Sequence, residues 1–275
     1  MIQVSVDDLK RVKPLICYNM LFDPDADFKM ILLRDLIYNP DNVEKVLQVV
    51  RSCGGKLKLM PPSNPLGQIV DMVLIFECPE GVEEVIGRKI EELGVCREVQ
   101  IIEPLDRRAA VNPFFPIIYG GKRAVIVPET LYGTLFEGMR TRLKPALTQI
   151  FLYQLGIHSG IELAQLLKDI LEEYKEDPVN ALRILFYFGR AFGYNMLGRI
   201  EMLGEKEIIL EIIDGWEAKA LKKRYTTPQC YLTRGIIEGF LKEVTGEEWD
   251  VEEKECIAMG SKSCRFIIRK KIKIE

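Results

Sequence analysis

Two cysteines near the end of the chain have a spacing that suits metal binding. Cys256 and Cys264 lie eight positions apart in the stretch EEKECIAMGSKSC, symmetrically about Gly260. If the chain turns at Gly260, the two thiols face each other across two antiparallel strands, with Cβ atoms about 4.5–5.5 Å apart. That separation is slightly wide for a disulfide but suits two ligands of one metal ion. We therefore expect a metal site here, with buried and unligated cysteines as the alternative.

A third cysteine, Cys230, extends this candidate site. In the stretch TTPQC, Thr227 is a suitable N-cap for a helix and Pro228 suits its first position. Cys230 would then lie in the first helical turn, where free N–H groups and the helix dipole favour the thiolate form that binds metals. Three thiolates are soft ligands, which favours Zn²⁺ over Mg²⁺ or Ca²⁺.

A tetrahedral site needs a fourth ligand, and the acidic run before Cys256 supplies candidates. Glu252, Glu253 and Glu255 all precede Cys256 closely. Because alternate residues of a strand share a side, regular alternation places Glu252 on the side of the thiols. Glu253 would reach them only if the strand bends or bulges first. Counting along the strand leaves the choice between these two glutamates open.

The composition limits the class of protein. With 275 residues and 48% hydrophobic side chains, the chain is long enough for two domains with real cores. A net charge of −3 and a pI of about 5.6 argue against a nucleic-acid partner. The one basic run, residues 269–275, is interpreted as a charged edge strand. No apolar stretch reaches the ~20 residues of a membrane span, and the N-terminus lacks a signal-peptide pattern, so a cytoplasmic protein is expected.

The other cysteines receive a structural interpretation. In the cytoplasm the seven cysteines are expected to be reduced. Their odd number also argues against a complete disulfide framework. Single cysteines in such a chain are mostly small buried hydrophobic residues. This interpretation applies to Cys17, Cys53, Cys78 and Cys96.

Residues 1–104 are predicted to form a separate α+β domain. The apolar pattern predicts four strands, near residues 28–36, 56–60, 69–77 and 96–103. One helix follows the first strand and another follows the third. The first of these helices is expected to have Asp41 as its N-cap and to stop at Gly54 and Gly55. This β-α-β-β-α-β order is typical of a ferredoxin-like domain, in which helices pack on an antiparallel sheet.

Prolines and a Gly-Gly pair make residues 105–128 a connector, and residues 129–275 are predicted to form a second, mixed α+β domain. Its predicted elements are helices at 145–174, 178–197 and 228–244, a hairpin that turns near Gly204, and two final strands. Gly189 and Gly193 lie four positions apart on one face of the second helix. They leave a shallow groove that a ligand or another backbone could approach, and close helix packing is the alternative interpretation.

The stretch CYLTRGIIEGFLKEVTGEEWDVEEKECIAMGSKSCRFII has a more specific pattern. Its order of Cys, helix, Gly, short strand and Glu-x-x-Cys-x₇-Cys-x-Phe resembles the 4-vinyl reductase domain family. The resemblance extends over residues 115–270. The family includes effector-sensing domains of phenol-responsive bacterial transcription activators and is similar to subunits of vesicle-tethering complexes. The resemblance implies a mixed α/β ligand-binding domain.

In the aromatic-sensing members of this family, three cysteines and one glutamate hold a zinc ion. Carried over by position, the resemblance implies zinc ligands at Cys230, Glu253, Cys256 and Cys264. It therefore selects Glu253 over Glu252. A site closed by four protein ligands would be structural, tying the start of a helix to the final strands.

The resemblance also indicates where a ligand would bind. Trp216 lies near the expected wall of the pocket, and with Gly189 and Gly193 it is a candidate for contact with a small hydrophobic or aromatic ligand. The phenol sensors hold the phenol hydroxyl with a histidine. The single histidine here, His158, has no clear match to that position and is interpreted as a surface or packing residue.

By the order of its elements, the region 1–104 resembles ACT-type regulatory domains. Many of these bind an amino acid at a glycine-containing turn after the first strand. The matching turn here, RDLIYNPDN, contains no glycine. The resemblance therefore implies pairing between subunits and not amino-acid binding.

These features predict a non-enzymatic, ligand-responsive regulatory protein with a structural zinc site, acting through a homodimer, as in related families, or through a partner. The sequence contains no P-loop and no evident helix-turn-helix that would supply an output. One alternative is a reductase of a vinyl-bearing, tetrapyrrole-like hydrophobic compound, although no G-x-G-x-x-G motif follows a strand. Another alternative is a scaffold or assembly subunit.

Overall fold

The computed structural model describes residues 19–119, 121–204, 206–221 and 225–271. The chain divides into two compact units, and the division lies between Ala124 and Val125. This position is inside the segment that the sequence predicts as a connector. Cys17 and the last four residues of the basic C-terminal run lie outside the described residues.

The described residues of the first unit form eight strands and two helices. Its elements in chain order are β1 (Met20–Phe22), β2 (Phe28–Ile37), α1 (Pro40–Ser52), β3 (Lys56–Leu59), β4 (Ile69–Glu77), α2 (Val82–Glu92), β5 (Glu98–Ile102), β6 (Ala109–Val111), β7 (Ile117–Tyr119) and β8 (Lys122–Ala124).

An antiparallel sheet of four strands, in the order β3-β4-β2-β5, forms the centre of this unit. Helices α1 and α2 cover one face of the sheet, where Val46 and Ile86 pack with Ile31. The short paired strands β1 and β6 add Leu21 and Ala110 to the core of the other face. Because both faces are covered, β2 and β4 are runs of apolar residues without strict alternation. The β-α-β-β-α-β order that the sequence predicts is present.

Helix α1 begins earlier than predicted. Its N-cap is Asn39 and not Asp41, because the Asn39 side chain accepts a hydrogen bond from the N–H of Asn42 at 2.9 Å. Pro40 occupies the first helical position, where an N–H group would have no partner within the helix. Asp41 lies in the first turn, where its negative charge interacts favourably with the helix dipole.

The second unit places helices before and between its strands. Its elements are α3 (Glu129–Arg142), α4 (Pro145–Leu166), α5 (Lys168–Leu171), a 3-10 turn (Glu172–Tyr174), α6 (Pro178–Ala191), β9 (Asn195–Leu203), β10 (Glu207–Gly215), α7 (Trp216–Lys219), α8 (Tyr231–Thr245), β11 (Trp249–Glu255), a 3-10 turn (Ile257–Met259) and β12 (Cys264–Lys270). The strands form an antiparallel sheet in the order β11-β12-β10-β9. Helices in the described parts of the chain are too short or too polar to cross a lipid bilayer.

Two helices of this unit are shorter than the sequence predicts. Helix α4 ends at Leu166 and not at residue 174. The segment between these positions forms the short helix α5 and a 3-10 turn. Helix α6 ends at Ala191 and not at residue 197. Gly193 adopts a left-handed conformation with φ of 76°, and the N–H of Tyr194 donates to the carbonyl oxygen of Gly189 at 2.9 Å. These features stop the helix and direct the chain into β9.

Helices α4 and α8 pack with their backbones in close contact. Gly156 and Gly160 of α4 face Gly235 and Gly239 of α8. A Cβ atom added at Gly235 would lie only 2.1 Å from the carbonyl oxygen of Tyr153, and the other three positions are similarly crowded by backbone atoms. The contact therefore requires glycine at all four positions.

We expect Gly235→Ala to lower the free energy of unfolding by about 1–3 kcal/mol, because the added methyl group forces the two helices apart. Urea denaturation monitored by circular dichroism measures this change. The control is Gly138→Ala in α3, where an added Cβ meets no atom within 4 Å. The control is expected to be neutral or stabilising by up to about 1 kcal/mol. A loss of stability as large in Gly138→Ala as in Gly235→Ala would contradict this account of the helix contact.

Candidate metal centre

Four side chains from separate parts of the second unit form one buried cluster. They are Cys230, Glu253, Cys256 and Cys264, and their ligand atoms all lie within 4.8 Å of one another. The Sγ atom of Cys230 lies 3.8 Å from that of Cys256 and 3.6 Å from that of Cys264, and the Sγ atoms of Cys256 and Cys264 are 4.0 Å apart. All four residues are at least nine-tenths buried.

These distances suit a tetrahedral ion. A metal with ligand bonds of about 2.3 Å to sulfur requires sulfur atoms about 3.8 Å apart at the corners of a tetrahedron. The three observed separations lie on either side of this value. The fourth corner falls to Glu253, whose Oε1 atom is buried and has no hydrogen-bond partner in the described chain. The donor set and its spacing therefore fit a Zn²⁺-sized cation.

The strand ends position Cys256 and Cys264. The last residue pair of the β11–β12 ladder, Glu255 with Arg265, is symmetric about Gly260 and brings the two cysteines together as the next positions. The connection between them is a 3-10 turn, and Gly260 has a positive φ of 100° that permits it. The backbone N–H of Ile257, the first residue of this turn, donates a hydrogen bond to the Sγ atom of Cys264 at 3.4 Å.

Cys230 lies immediately before helix α8. It is the N-cap of that helix, which begins at Tyr231. The prediction of Thr227 as N-cap and Pro228 as first helical residue was therefore wrong by three residues. The N–H of Cys230 donates to Oε2 of Glu253 at 2.9 Å, so the metal cluster and the helix start share this hydrogen bond.

A β-bulge decides between the two candidate glutamates. The pairing of β11 with β12 shifts between Glu253 and Glu255, which leaves Lys254 as an extra residue. The bulge reverses the alternation, so that Glu253 is buried beside the thiols. Glu252 lies on the outer side and forms ion pairs with Lys254 and Arg269. Regular alternation, which places Glu252 with the thiols, is wrong for this strand.

The cluster is electrostatically incomplete without a cation. Burial, together with the nearby Cys256 sulfur, raises the pKa of Glu253 to about 8. Hydrogen bonds from Cys230 and Cys264 favour the thiolate of Cys256 and lower its pKa, while the pKa of the Cys230 thiol is raised. Four acidic groups this close together disfavour one another's charged forms. A divalent ion would offset that repulsion and stabilise all four ligands in their charged forms.

A second buried carboxylate holds the first turn of α8. Glu217 accepts hydrogen bonds from the N–H groups of Leu232 and Thr233 at 3.0 and 2.9 Å, and from the Thr233 hydroxyl at 2.7 Å. The Arg140 guanidinium of α3 lies 3.8 Å from Glu217 and donates to the carbonyl oxygen of Gln229 at 3.0 Å. Sequence reasoning missed Glu217 and Arg140, because a single charged residue in a helix gives no periodic signal and its burial depends on contacts between distant segments.

Trp216, next to Glu217, belongs to an aromatic cluster. Its ring centre lies 5.1 Å from that of Tyr132, 5.3 Å from that of Phe136 and 6.2 Å from that of Tyr194. These residues come from α3, from α7 and from the turn after α6. Phe136 is buried, whereas the Tyr194 side of the cluster is partly exposed. We name these four residues the aromatic cluster.

The two glycines predicted to form a groove do not share a helical face. Helix α6 ends between them, and Gly193 belongs to the turn that follows. A Cβ atom at Gly189 would meet the side chain of Asn195 at 2.4 Å, so this glycine permits close packing of the chain after the helix. Both glycines precede Tyr194, whose carbonyl oxygen accepts a hydrogen bond from the backbone N–H of Trp216.

The single histidine, His158, is exposed on α4.

The first unit carries none of the predicted site residues. Its described cysteines do not belong to the cluster: Cys78 is buried, and Cys53 and Cys96 are partly buried. An open groove of about 370 Å³ runs along α2 and β5. Its lining mixes charged side chains with two aliphatic ones, and the residues are Glu84, Gly87, Arg88, Glu91, Val99 and Ile101.

Two uncharacterized proteins of Methanocaldococcus jannaschii are similar in sequence. One is 26% identical, over 31% of this chain and 63% of the relative, and the other is 35% identical, over 27% of this chain and 34% of the relative. The chain thus spans less than two thirds of the length of each of these relatives.

Three solved structures that are each 16% identical to this chain show partial similarity. The phenol-responsive sensory domain of the transcription activator PoxR has a TM-score of 0.45, covering 55% of this chain and 78% of that one. A trafficking protein particle complex subunit 3 from Naegleria fowleri has a TM-score of 0.41, and the match covers 52% of this chain and 95% of that one. A vinyl-4-reductase family protein from Methanocaldococcus jannaschii has a TM-score of 0.37, and the match covers 54% of this chain and 85% of that one.

The family comparison concerns the region that contains the cluster. Residues 211–270 match the family described as the V4R domain. This segment runs from β10 to the end of β12, and it includes Trp216 and all four residues of the candidate metal centre. The resemblance that the sequence predicts is confirmed for this segment, which matches the V4R domain.

Proposed function

We propose that this chain is a non-enzymatic, cytoplasmic regulatory protein whose second unit binds a small hydrophobic or aromatic ligand beside a structural zinc ion. The observation that carries this proposal is the arrangement around the first turn of α8. Cys230 of the candidate metal centre directly precedes that turn. Glu217, the neighbour of Trp216, accepts hydrogen bonds from two backbone N–H groups of the turn. A ligand at the aromatic cluster would therefore act on an element that the metal also holds.

The donor set supports zinc and a structural role. Three sulfur ligands and one carboxylate favour Zn²⁺ over harder cations. All four positions of a tetrahedron are taken by protein atoms from Cys230, Glu253, Cys256 and Cys264, which leaves no place for a substrate or a reactive water. The ion would connect the start of α8 to the ends of β11 and β12.

The aromatic cluster supports a ligand with an apolar or aromatic body. Aromatic rings with centres 5–6 Å apart offer tilted faces on which another ring can pack. Trp216 and Tyr132 are partly exposed, so a small molecule can reach the cluster from solvent. Gly189 and Gly193 contribute by allowing the turn that brings Tyr194 beside Trp216.

The response would be a shift between packing states. A ligand that separates Trp216 from Tyr194 would move α7 and with it Glu217, which would change the hydrogen bonds at the start of α8. Such a ligand acts by binding one of two arrangements more tightly than the other. We assign the first unit an ACT-like, ferredoxin-type regulatory role on its β-α-β-β-α-β order and sheet order. The output would pass through a homodimer or a partner protein.

Elemental analysis of freshly purified protein should find about one zinc ion per chain. Removal of the ion by a chelator, or the substitution Cys256→Ser, should lower the metal content and the Tm together, the latter by roughly 5 °C or more. Cys53→Ser, which lies outside the cluster, is the control and should keep the ion. Wild-type protein isolated without chelator and free of stoichiometric metal would argue against the zinc site.

The bulge makes a sharper prediction about the two neighbouring glutamates. Glu253→Gln should weaken zinc binding by roughly tenfold or more, since an amide is a poorer ligand than a carboxylate. Glu252→Gln should leave zinc affinity unchanged, since Glu252 faces outward and pairs with Arg269. Competition with a chromophoric chelator measures both affinities. Equal loss in the two variants, or a greater loss in Glu252→Gln, would refute the assignment of Glu253.

Native mass spectrometry of the full-length protein should reveal a co-purified small molecule. Trp216→Leu should reduce its occupancy at least tenfold, because the largest ring of the aromatic cluster is lost. Tyr187→Leu is the control, since Tyr187 is an exposed aromatic residue outside that cluster. Occupancy unaffected by Trp216→Leu would place the ligand elsewhere. Reductive turnover with a reduced nicotinamide or ferredoxin donor would contradict a non-enzymatic role.

A further inference from the structure

The Arg140 side chain is buried with most of its hydrogen-bonding capacity unused. Its side chain is only 6% exposed. The Nε and Nη1 atoms have no hydrogen-bond partner among the described residues. Since a guanidinium carries one N–H on Nε and two on each Nη, three of its five N–H groups are unsatisfied. Burying unsatisfied charged donors is costly, so this group indicates an acceptor that the described residues do not supply.

Glu217 is a poor partner for this guanidinium. Its two carboxylate oxygens already accept three hydrogen bonds from Leu232 and Thr233. The distance from Arg140 to Glu217 is 3.8 Å, which is too long for a hydrogen bond. Glu217 therefore offsets part of the charge of Arg140 but does not use its free N–H groups. Among the described residues, Nη2 donates to the carbonyl oxygen of Gln229, and the guanidinium carbon lies 5.9 Å from the ring centre of Tyr231, which contacts the cation but accepts no N–H hydrogen bond.

The position of Arg140 relates it to the aromatic cluster. Tyr132, Phe136 and Arg140 occur at intervals of four residues in α3, so they lie along one face of that helix. The first two pack against Trp216, and the third lies beside Glu217, the residue after Trp216. One helical face thus presents two aromatic rings and then a buried cation.

We propose that the ligand of the second unit is an aromatic carboxylate, with its ring on the aromatic cluster and its carboxylate on the free N–H groups of Arg140. This inference rests on the proposed function and specifies the chemical class of the ligand. A carboxylate supplies both the negative charge and the acceptor oxygens that the guanidinium lacks, and hydrogen bonds between two charged groups are the strongest kind available there. A neutral aromatic ligand could accept hydrogen bonds from Arg140 but would bring no negative charge to the buried guanidinium.

The test compares two probes of nearly the same shape, benzoate and benzamide, by ligand-observed NMR titration of the full-length protein. Benzoate is expected to bind at least tenfold more tightly than benzamide, because only benzoate carries a charge. Arg140→Met should remove this preference by weakening benzoate alone. Arg142→Met is the matched control on the exposed side of the same helix and should keep the preference.

The variants also separate a ligand role from a structural one. Circular dichroism and metal content of Arg140→Met show whether it folds, and Arg140→Lys, which keeps the charge but loses the planar fork, should retain a reduced preference for benzoate. Equal binding of benzoate and benzamide to the wild type would overturn this inference while leaving the proposed function standing. Loss of metal from Arg140→Met with the preference unchanged would assign Arg140 to the metal site and also overturn it. Failure of both probes to bind the wild type would overturn the inference and the proposed function together.

Discussion

The start of helix α8 is fixed by two buried carboxylates. The N–H groups of a helix's first turn have no partner within the helix and form its positive end. Glu253 accepts from the N–H of Cys230, and Glu217 accepts from those of Leu232 and Thr233. One carboxylate comes from β11 and the other from α7, directly after β10. The helix start is therefore tied to two separate strands of the sheet, and both candidate sites depend on where it lies.

The two carboxylates serve different purposes although they make similar hydrogen bonds. Both oxygens of Glu217 accept hydrogen bonds from donors of α8, three in all. Glu253 uses one oxygen for the N–H of Cys230 and leaves Oε1 buried and free among the described residues. One carboxylate oxygen of Glu253 lies within 4.8 Å of the three sulfur atoms. The contrast distinguishes a carboxylate that holds the helix start from one that also belongs to the candidate metal centre.

Local patterns predicted the elements better than they predicted side-chain directions. Apolar runs were sufficient for the β-α-β-β-α-β order, and the spacing of Cys256 and Cys264 about Gly260 agrees with the strand register. The side of the strand that bears Glu253 depends on a bulge at Lys254, and that bulge is defined only by pairing with β12. Likewise, four-residue spacing placed Gly189 and Gly193 on one helical face, but Gly193 ends the helix through its positive φ. A bulge or a helix end arises from contacts that the local sequence does not contain.

The contact between α4 and α8 limits which parts of the second unit can respond to a ligand. At Gly160 and Gly239 the two backbones approach so closely that no side chain lies between them to change its rotamer. The two helices must then move together or not at all, since packed backbones have no intermediate arrangement. The aromatic cluster is different, because its rings come from α3, α7 and the turn after α6 and are partly exposed. Rings of this kind can repack at modest cost. A ligand's effect is therefore expected in α3 and α7 first. It reaches the start of α8 through Glu217 of α7, which accepts hydrogen bonds from the first turn, and through Arg140 of α3, which donates to Gln229 just before that turn.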